Sequence, residues 1–461
     1  MTTPSEFQSD HQHFGNKKGL LIVAVAAIVA VVLWQTLPFD AQANKGLALL
    51  FFVAVLWLTE AIHTTLTALM IPFLAVLLGM PDMDARAALA SFANPIIFLF
   101  FGGFALAAAL QIQQLDRKIA LQLIRLSGGR LNIAIYMVFA ATAFLSMWIS
   151  NTATTAMMLP LVVGMLAQID RQKERNTFVF ALLGLAYSAA VGGIGTLVGT
   201  PPNAITAKAL DLDFAAWMKV GVPFMLLLFP VMLLALHLVF RPQLKRKMAV
   251  VQDDIAWTPK RLLTLAVFAL TALGWIFSSQ LNQFLNIKDL DSIIALFAAI
   301  AVGALGLAKW QEISDNTDWG ILMLFGGGIT LSVVLQKSGA ALVLGQGLAN
   351  LLQNAPFLVV IAVVAAFIVI LTEFSSNTAS AALLVPVFAS VAAQMGMPQA
   401  TLVMTIGLGV SLAFMMPVAT PPNAIVMGSG LIRQREMMKG GALLNLMGVG
   451  LLTVFVYFMW G

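Results

Sequence analysis

The chain is built from long apolar runs separated by short polar stretches. Runs long enough to cross a bilayer as a helix lie near 19–37, 46–62, 64–80 and 93–113, and again near 177–206 and 214–240. After a polar, basic stretch at 241–261, further runs lie near 262–282, 292–309, 319–337, 400–428 and 441–460. The pattern predicts an all-α polytopic membrane protein with eleven transmembrane helices.

Composition agrees with this pattern. Of 461 residues, 60% are hydrophobic and only 10% are charged, against about 25% charged in a soluble domain. The absence of cysteine excludes a disulfide framework and a thiolate metal site. The first apolar run, of about 19 residues, is longer than the 7–15 of a signal peptide. It therefore predicts a retained helix, with a cleaved leader as the alternative.

Two apolar segments, 131–168 and 356–394, are too long for one crossing and suit two short helices joined by a bend. Each carries the same triplet near its middle, Ser150-Asn151-Thr152 in the first and Ser376-Asn377-Thr378 in the second. Broken helix at membrane depth is tolerated only where it lines a cavity or is buried in protein. We therefore predict two re-entrant hairpins with the triplets at their tips. The alternative is two full crossings with a polar turn outside.

The placement of positive charge favours the hairpins. If each hairpin returns to its own side, most of the 25 Lys and Arg residues fall on one side, which would be the cytoplasm. A full crossing at 131–168 would leave a basic cluster outside. Hairpin 131–168 is therefore expected to open to the cytoplasm and hairpin 356–394 to the exterior. We expect a cytoplasmic amino terminus and an external carboxy terminus, in a bacterial inner membrane.

The polar motifs also define an internal repeat. The two triplets lie 226 residues apart, and the motif Thr-Pro-Pro-Asn-Ala at 200–204 recurs at 420–424. The repeat units would be 46–240 and 262–461, joined by a cytoplasmic linker at 241–261, with 1–45 outside the symmetry. Each unit holds five spans and one hairpin, and five is odd. The two units would therefore enter the membrane from opposite sides, as in many secondary transporters.

The repeated motifs supply groups suited to binding ions. Helix amino termini favour anions, and unwound carbonyls favour Na⁺. The paired prolines, which cannot donate a backbone N–H, free carbonyl groups in the preceding turn. Ser146 and Thr372 place a hydroxyl one turn before each tip. A single Ser or Thr usually only joins helices in a membrane bundle, but the duplicated constellation favours a binding site.

Glu373 is the one carboxylate placed near the second tip. Either it binds a proton or a cation, or it is a structural partner for a backbone group, and the residues leave both open. The chain contains no phosphate-binding loop or zinc-protease motif. An intramembrane enzyme is therefore the least favoured class, and nucleic acid is not expected as a partner.

At both triplets and both Thr-Pro-Pro motifs, with their spacing, the chain resembles the divalent anion/sodium symporter family, and within it the bacterial INDY-type dicarboxylate carriers. The resemblance implies a homodimer whose transport domains move across the membrane as elevators. It implies one Na⁺ site around Ser146, Ser150, Asn151 and Gly199, and a second around Thr372, Ser375, Asn377 and Ala419. It implies substrate contacts at Asn151, Thr152, Thr200, Asn377, Thr378, Thr420 and Pro422.

The resulting hypothesis is Na⁺-coupled import of a C4-dicarboxylate of the succinate, malate and fumarate class. The co-transported Na⁺, the dicarboxylate, the lipid bilayer and a second copy of the chain are the expected partners. The alternatives within the fold are a dicarboxylate exchanger, a proton-coupled carrier that uses Glu373, and a sulfate carrier. An anion channel is the alternative of another class.

Overall fold

A computed structural model describes residues 17–167, 169–246, 255–352 and 355–460. Its regular secondary structure is helical, and these ranges contain no strand. Nine helices in them are long and apolar enough to cross a membrane. The predicted all-α membrane fold is confirmed. One of the nine, Asn377–Gln394, belongs to a predicted hairpin, so eight of the eleven predicted spans meet the length criterion. The other three, at 64–80, 292–309 and 400–428, begin with helices of only 14, 15 and 11 residues.

The first half begins with α1, which lies before the repeat. Its helices are α1 Lys17–Thr36, α2 Ala41–Thr59, α3 Thr64–Leu77, α4 Ala85–Ala90, α5 Pro95–Ile112, α6 Leu115–Leu126, α7 Leu131–Ser146, α8 Asn151–Leu166, α9 Arg175–Gly193, α10 Pro201–Ala209 and α11 Phe214–Phe240, with a short 3₁₀ helix at Ser91–Ala93.

The second half follows the same order from α12 onward. Its helices are α12 Pro259–Ile276, α13 Ser278–Leu285, α14 Leu290–Ala304, α15 Trp310–Asp315, α16 Trp319–Lys337, α17 Ala340–Leu352, α18 Phe357–Thr372, α19 Asn377–Gln394, α20 Gln399–Gly409, α21 Pro421–Gly428 and α22 Gln434–Trp460.

Local sequence explains several boundaries. Asp40, Asn94 and Asp213 cap the amino termini of α2, α5 and α11, because each side chain accepts a hydrogen bond from a backbone N–H in the first turn. Proline stands at the first helical position of α10 and α21, where its missing N–H costs no hydrogen bond. The polar linker is shorter than expected, since α12 already begins at Pro259. Residues 247–254 of that linker lie outside the described residues.

The predicted hairpins appear as two pairs of short helices, α7 with α8 and α18 with α19. Three of these arms have 16 residues and the fourth has 18. A 16-residue helix spans about 24 Å, which is less than the roughly 30 Å hydrocarbon core of a bilayer. The fourth arm, Asn377–Gln394, is long enough to cross, so the re-entrant arrangement stays a prediction.

Packing between the halves is reciprocal. Helix α5 packs on α14 while its counterpart α16 packs on α3, and the long helices α11 and α22 pack on each other. Helix α10 packs on α19 and α20, while α21 packs on α8 and α9. The broken helices of each half therefore lie against the hairpin arm of the other half.

Candidate ion and substrate site

The first hairpin tip holds three oxygen atoms in contact. Ser146 Oγ lies 2.6 Å from Asn151 Oδ1 and 2.7 Å from the backbone oxygen of Ala189 on α9. A hydroxyl carries one hydrogen, so it cannot satisfy both acceptors fully. The surplus of oxygen lone pairs in a buried place suits a hard cation such as Na⁺.

The second tip repeats this cluster. Thr372 Oγ1 lies 2.6 Å from Asn377 Oδ1 and 3.0 Å from the backbone oxygen of Val410 on α20. Ser146 and Thr372 are both fully buried. The hydroxyl that the sequence places one turn before each triplet thus contacts the asparagine of that triplet. We call these groups the first and second oxygen clusters.

Each triplet also starts a helix. Ser150 and Ser376 cap α8 and α19, since their Oγ atoms lie 3.3 and 3.4 Å from the backbone nitrogens of Ala153 and Ala379. The unpaired N–H groups and partial positive charge of such helix starts suit an oxyanion. Thr152 is exposed and Thr378 is half-buried in the first turns, so both hydroxyls lie beside these helix amino termini.

The unwound stretch between α9 and α10 is held by Asn203. Its Nδ2 donates to the backbone oxygens of Gly193, Ile194 and Thr196 at 2.9, 3.3 and 2.6 Å. Thr196 Oγ1 in turn donates to the backbone oxygen of Met147 at the hairpin bend. These bonds fix the break in α9–α10 against the first tip, since they satisfy carbonyls that no helix turn satisfies.

Asn423 has the equivalent role between α20 and α21. Its Nδ2 donates to the backbone oxygens of Ala413 and Met416 at 3.2 and 3.0 Å. These roles of Asn203 and Asn423 were not predicted from the sequence. The available signal was the recurrence of Asn directly after Thr-Pro-Pro in both halves.

Two glycines allow the close approach of backbone at the first cluster. A Cβ at Gly199 would lie 2.4 Å from the backbone oxygen of Gly193, and a Cβ at Gly193 would lie 2.4 Å from Asn151 Oδ1. Any side chain at either position must displace a neighbour. The corresponding position in the second half is Ala419, which is buried.

The remaining predicted substrate residues flank the breaks. Thr200 and Thr420 are buried and directly precede α10 and α21. Thr420 Oγ1 accepts a hydrogen bond from the backbone nitrogen of Asn423 at 3.4 Å, whereas the Thr200 side chain makes no cap hydrogen bond. Pro422 is buried in the first turn of α21.

Ser375 differs from the other predicted ligands. Its hydroxyl lies 2.9 Å from the backbone oxygen of Leu371 and 2.8 Å from Ser380 Oγ. The side chain is therefore engaged within its own hairpin. By the 226-residue spacing, the counterpart of Ser150 is Ser376.

Glu373 binds backbone groups of the second break. Its Oε1 accepts from the backbone nitrogens of Phe414 and Met415 at 2.8 and 2.9 Å and from Asn445 Nδ2 at 2.6 Å. Its Oε2 accepts from the backbone nitrogens of Met415 and Met416 at 3.1 and 2.9 Å. Of the two roles left open by the sequence, the structure shows the structural one, since the carboxylate stabilises the unwound chain after α20.

Known proteins resemble the chain over nearly its whole length. The family model for the sodium:sulfate symporter transmembrane region matches residues 16–461. A Haemophilus influenzae protein named only as an uncharacterized transporter is 51% identical over 96% of this chain and 98% of its own. The sodium-dependent dicarboxylate transporter SdcS of Staphylococcus saprophyticus is 31% identical over 96% of this chain and 91% of its own.

Two solved transporters share the fold. The crystal structure of YdaH from Alcanivorax borkumensis superposes with a TM-score of 0.56 and 14% identity, covering 96% of this chain and 98% of that one. MtrF from Neisseria gonorrhoeae gives a TM-score of 0.55 and 13% identity, covering 96% and 95%. At such identities the likeness concerns architecture alone.

Proposed function

From the premise that the chain belongs to the sodium:sulfate symporter family and is a multi-pass membrane transporter rather than an enzyme, we propose that it couples the entry of Na⁺ to the import of a C4-dicarboxylate. The observation that carries the proposal is the duplicated oxygen cluster. Each copy joins a hydroxyl, an asparagine oxygen and a backbone carbonyl at 2.6–3.0 Å.

Charge is the reason for the coupling. The described hairpin segments 131–167 and 355–394 contain no Lys or Arg. A helix amino terminus contributes only about half an elementary charge. A dianion held by neutral side chains and helix amino termini therefore needs added cations. Two Na⁺, one in each cluster, would balance the two carboxylates of a bound dicarboxylate.

The relatives support the same substrate class. SdcS proteins of Staphylococcus saprophyticus and Staphylococcus aureus are named as sodium-dependent dicarboxylate transporters. On this proposal the substrate carboxylates lie at the amino termini of α8 and α19. Asn151, Thr152, Asn377 and Thr378 would contact the substrate from the hairpins. Thr200, Thr420 and Pro422 would contact it from the breaks.

The test is uptake of labelled succinate into proteoliposomes that contain the purified protein. An inward Na⁺ gradient should drive accumulation, and replacement of Na⁺ by choline should abolish it. Equal uptake in both conditions would reject sodium coupling. Asn151→Ala and Asn377→Ala should each stop transport, since each removes both an ion ligand and a substrate contact. Full activity in either variant would reject the assigned site.

A sulfate carrier is the second candidate, because sulfate is also a dianion and the family model describes sodium:sulfate symporters. Competition separates the two substrates. Excess succinate, malate or fumarate should inhibit labelled succinate uptake, whereas excess sulfate should leave it unchanged. A proton-coupled carrier that uses Glu373 is less favoured, since that carboxylate is fully occupied by hydrogen-bond donors.

The proposal extends to the setting of the protein. The amino terminus would lie in the cytoplasm, and the two halves would form an inverted repeat in a bacterial inner membrane. The hairpins and broken helices would move as one transport domain of a homodimer, in an elevator motion. Crosslinking and accessibility of single introduced cysteines on both membrane faces would test these points, since the sequence contains none.

A further inference from the structure

A cavity of about 240 Å³, lined by none of the residues of the two oxygen clusters, lies where the end of α10 meets the starts of α5, α11, α13 and α14. We call it the acidic chamber. Its wall includes Leu197, two residues before Gly199 in the break between α9 and α10. The charged residues and the buried hydroxyl that matter here are Lys208, Asp211, Asp213, Asp289, Asp291 and Ser278.

Asp213 and Asp211 have partners near the rim of the chamber. Asp213 Oδ1 accepts from the backbone nitrogen of Ala216 at 2.7 Å, and its Oδ2 accepts from Ser279 Oγ at 2.6 Å. Asp211 is exposed at the rim and lies 3.8 Å from Lys208 Nζ. With one lysine against four carboxylates, the chamber is negatively charged. Such a cavity concentrates cations and repels a dianion.

Asp291 and Ser278 each have one buried oxygen without a hydrogen bond in the described ranges. Asp291 is 9% exposed, and its Oδ2 accepts from the backbone nitrogen of Phe214 at 2.7 Å. Its Oδ1 is buried and has no hydrogen-bond partner among the described residues. Ser278 Oγ, on a residue only 2% exposed, adjoins the Asp291 carboxylate but forms no well-aligned hydrogen bond within those ranges. Buried oxygens left in this state are costly unless a ligand compensates them.

We propose that the acidic chamber binds a monovalent cation, Na⁺, through Asp291 Oδ1 and Ser278 Oγ. Carboxylate and hydroxyl oxygens are ligands that hard cations prefer. A divalent ion such as Ca²⁺ is usually held by several carboxylates. In the part of the chain that the structure describes, no three acidic or histidine side chains converge in that way. Neither of these two ligands belongs to an oxygen cluster.

Packing connects the chamber to the first hairpin. Trp275 Nε1 donates to the backbone oxygen of Asp291 at 2.9 Å, and its ring stacks on Phe214 at 4.7 Å. Trp148, beside the first tip, stacks on Phe214 at 6.1 Å. Asp291 is therefore connected through Trp275 and Phe214 to Trp148, so a cation bound by Asp291 would lie next to residues that pack against the first hairpin tip.

Because the sequence contains no cysteine, a single introduced thiol can be followed directly. Asn282→Cys places one thiol on the exposed lining of the chamber. We would measure its modification in purified full-length protein by a cationic methanethiosulfonate reagent, with Na⁺ or choline at equal ionic strength. The expected result is that Na⁺ slows modification about tenfold. A charged cleft raises the association rate of an oppositely charged reagent by about 10- to 1000-fold, and bound Na⁺ would cancel part of that charge. Equal rates in Na⁺ and choline would overturn the proposal.

Three further variants, each added to Asn282→Cys, separate a site from its surroundings. Asp291→Asn and Ser278→Ala should each remove the Na⁺ effect. The control Asp211→Asn, which removes the same charge at the rim, should keep it. A Na⁺ effect that persists in both Asp291→Asn and Ser278→Ala, or that Asp211→Asn removes equally, would contradict a defined site.

Asn151→Ala distinguishes this proposal from the transport function. Because the chamber is separate from the first oxygen cluster, this variant should still show slower modification in Na⁺ even when transport is lost. Loss of the Na⁺ effect in Asn151→Ala would mean that the thiol senses the hairpin site, and the chamber proposal would fail.

Discussion

Gly199→Ala tests the geometry of the first oxygen cluster with the smallest possible change. The added Cβ would lie 2.4 Å from the backbone oxygen of Gly193 and 2.9 Å from its Cα. Ordinary contact begins roughly 1 Å farther away. The opposing atoms belong to the backbone, so no side-chain rotation relieves the clash. The same Gly193 oxygen accepts a hydrogen bond from Asn203 at 2.9 Å, and the break must therefore shift.

The magnitude follows from this displacement. Overpacking by one methyl group costs about 1–3 kcal/mol in a tightly packed region. If the wild-type cluster geometry is the ion-binding one, most of that cost is a loss of Na⁺ affinity. Half-saturation of uptake should then move to an Na⁺ concentration higher by roughly 5- to 150-fold.

The assay is the Na⁺ dependence of succinate uptake in proteoliposomes. Gly164→Ala in α8 is the matched control, since a Cβ there meets no atom within 4 Å. The control should match the wild type. Gly199→Ala with wild-type Na⁺ dependence would refute the assignment of this break to an ion site.

Four other variants test what stabilises the fold. Glu373→Gln turns an amide group toward backbone N–H donors. It should lower the free energy of unfolding by roughly 1–3 kcal/mol. An unchanged thermal midpoint in detergent would contradict the structural role of Glu373. Asn203→Ala and Asn423→Ala should each lower that midpoint, because each leaves buried carbonyls unpaired; unaltered midpoints would show that these amides do not hold the breaks. Burial raises the pKa of the Asp116 carboxyl to about 6, above about 3.9 in an unfolded chain. The native state therefore binds that proton more tightly, and its stabilisation is present below about pH 4 and lost as pH rises to 6. Asp116→Asn should remove this pH dependence of the thermal midpoint, and an identical pH profile would contradict it.

The sequence predicted the helical class and the positions of the breaks because hydropathy and proline act locally. Pro201 and Pro421 begin the short helices α10 and α21, and both triplets begin a hairpin arm. Helix ends were less accurate. The single apolar run at 262–282 divides into α12 and the short α13, since hydropathy does not reveal where a helix bends.

The candidate site was only partly predictable. A hydroxyl one turn before an asparagine is a local pattern, and the structure places Ser146 and Thr372 against Asn151 and Asn377. The partners from other helices were not predictable in this way. The hydrogen bonds of Glu373 to residues 414–416 join segments about 40 residues apart, so they depend on tertiary packing. The acidic chamber, which joins both halves, was missed for the same reason.

The most direct test of the central claim is the Na⁺ dependence of succinate binding to the purified protein. Two oxygen clusters that each hold one Na⁺ predict a sigmoidal Na⁺ dependence in the wild type. Ser146→Ala or Thr372→Val should make that dependence hyperbolic and weaken succinate binding. Hyperbolic Na⁺ dependence in the wild type, or succinate binding that is independent of Na⁺, would contradict the account.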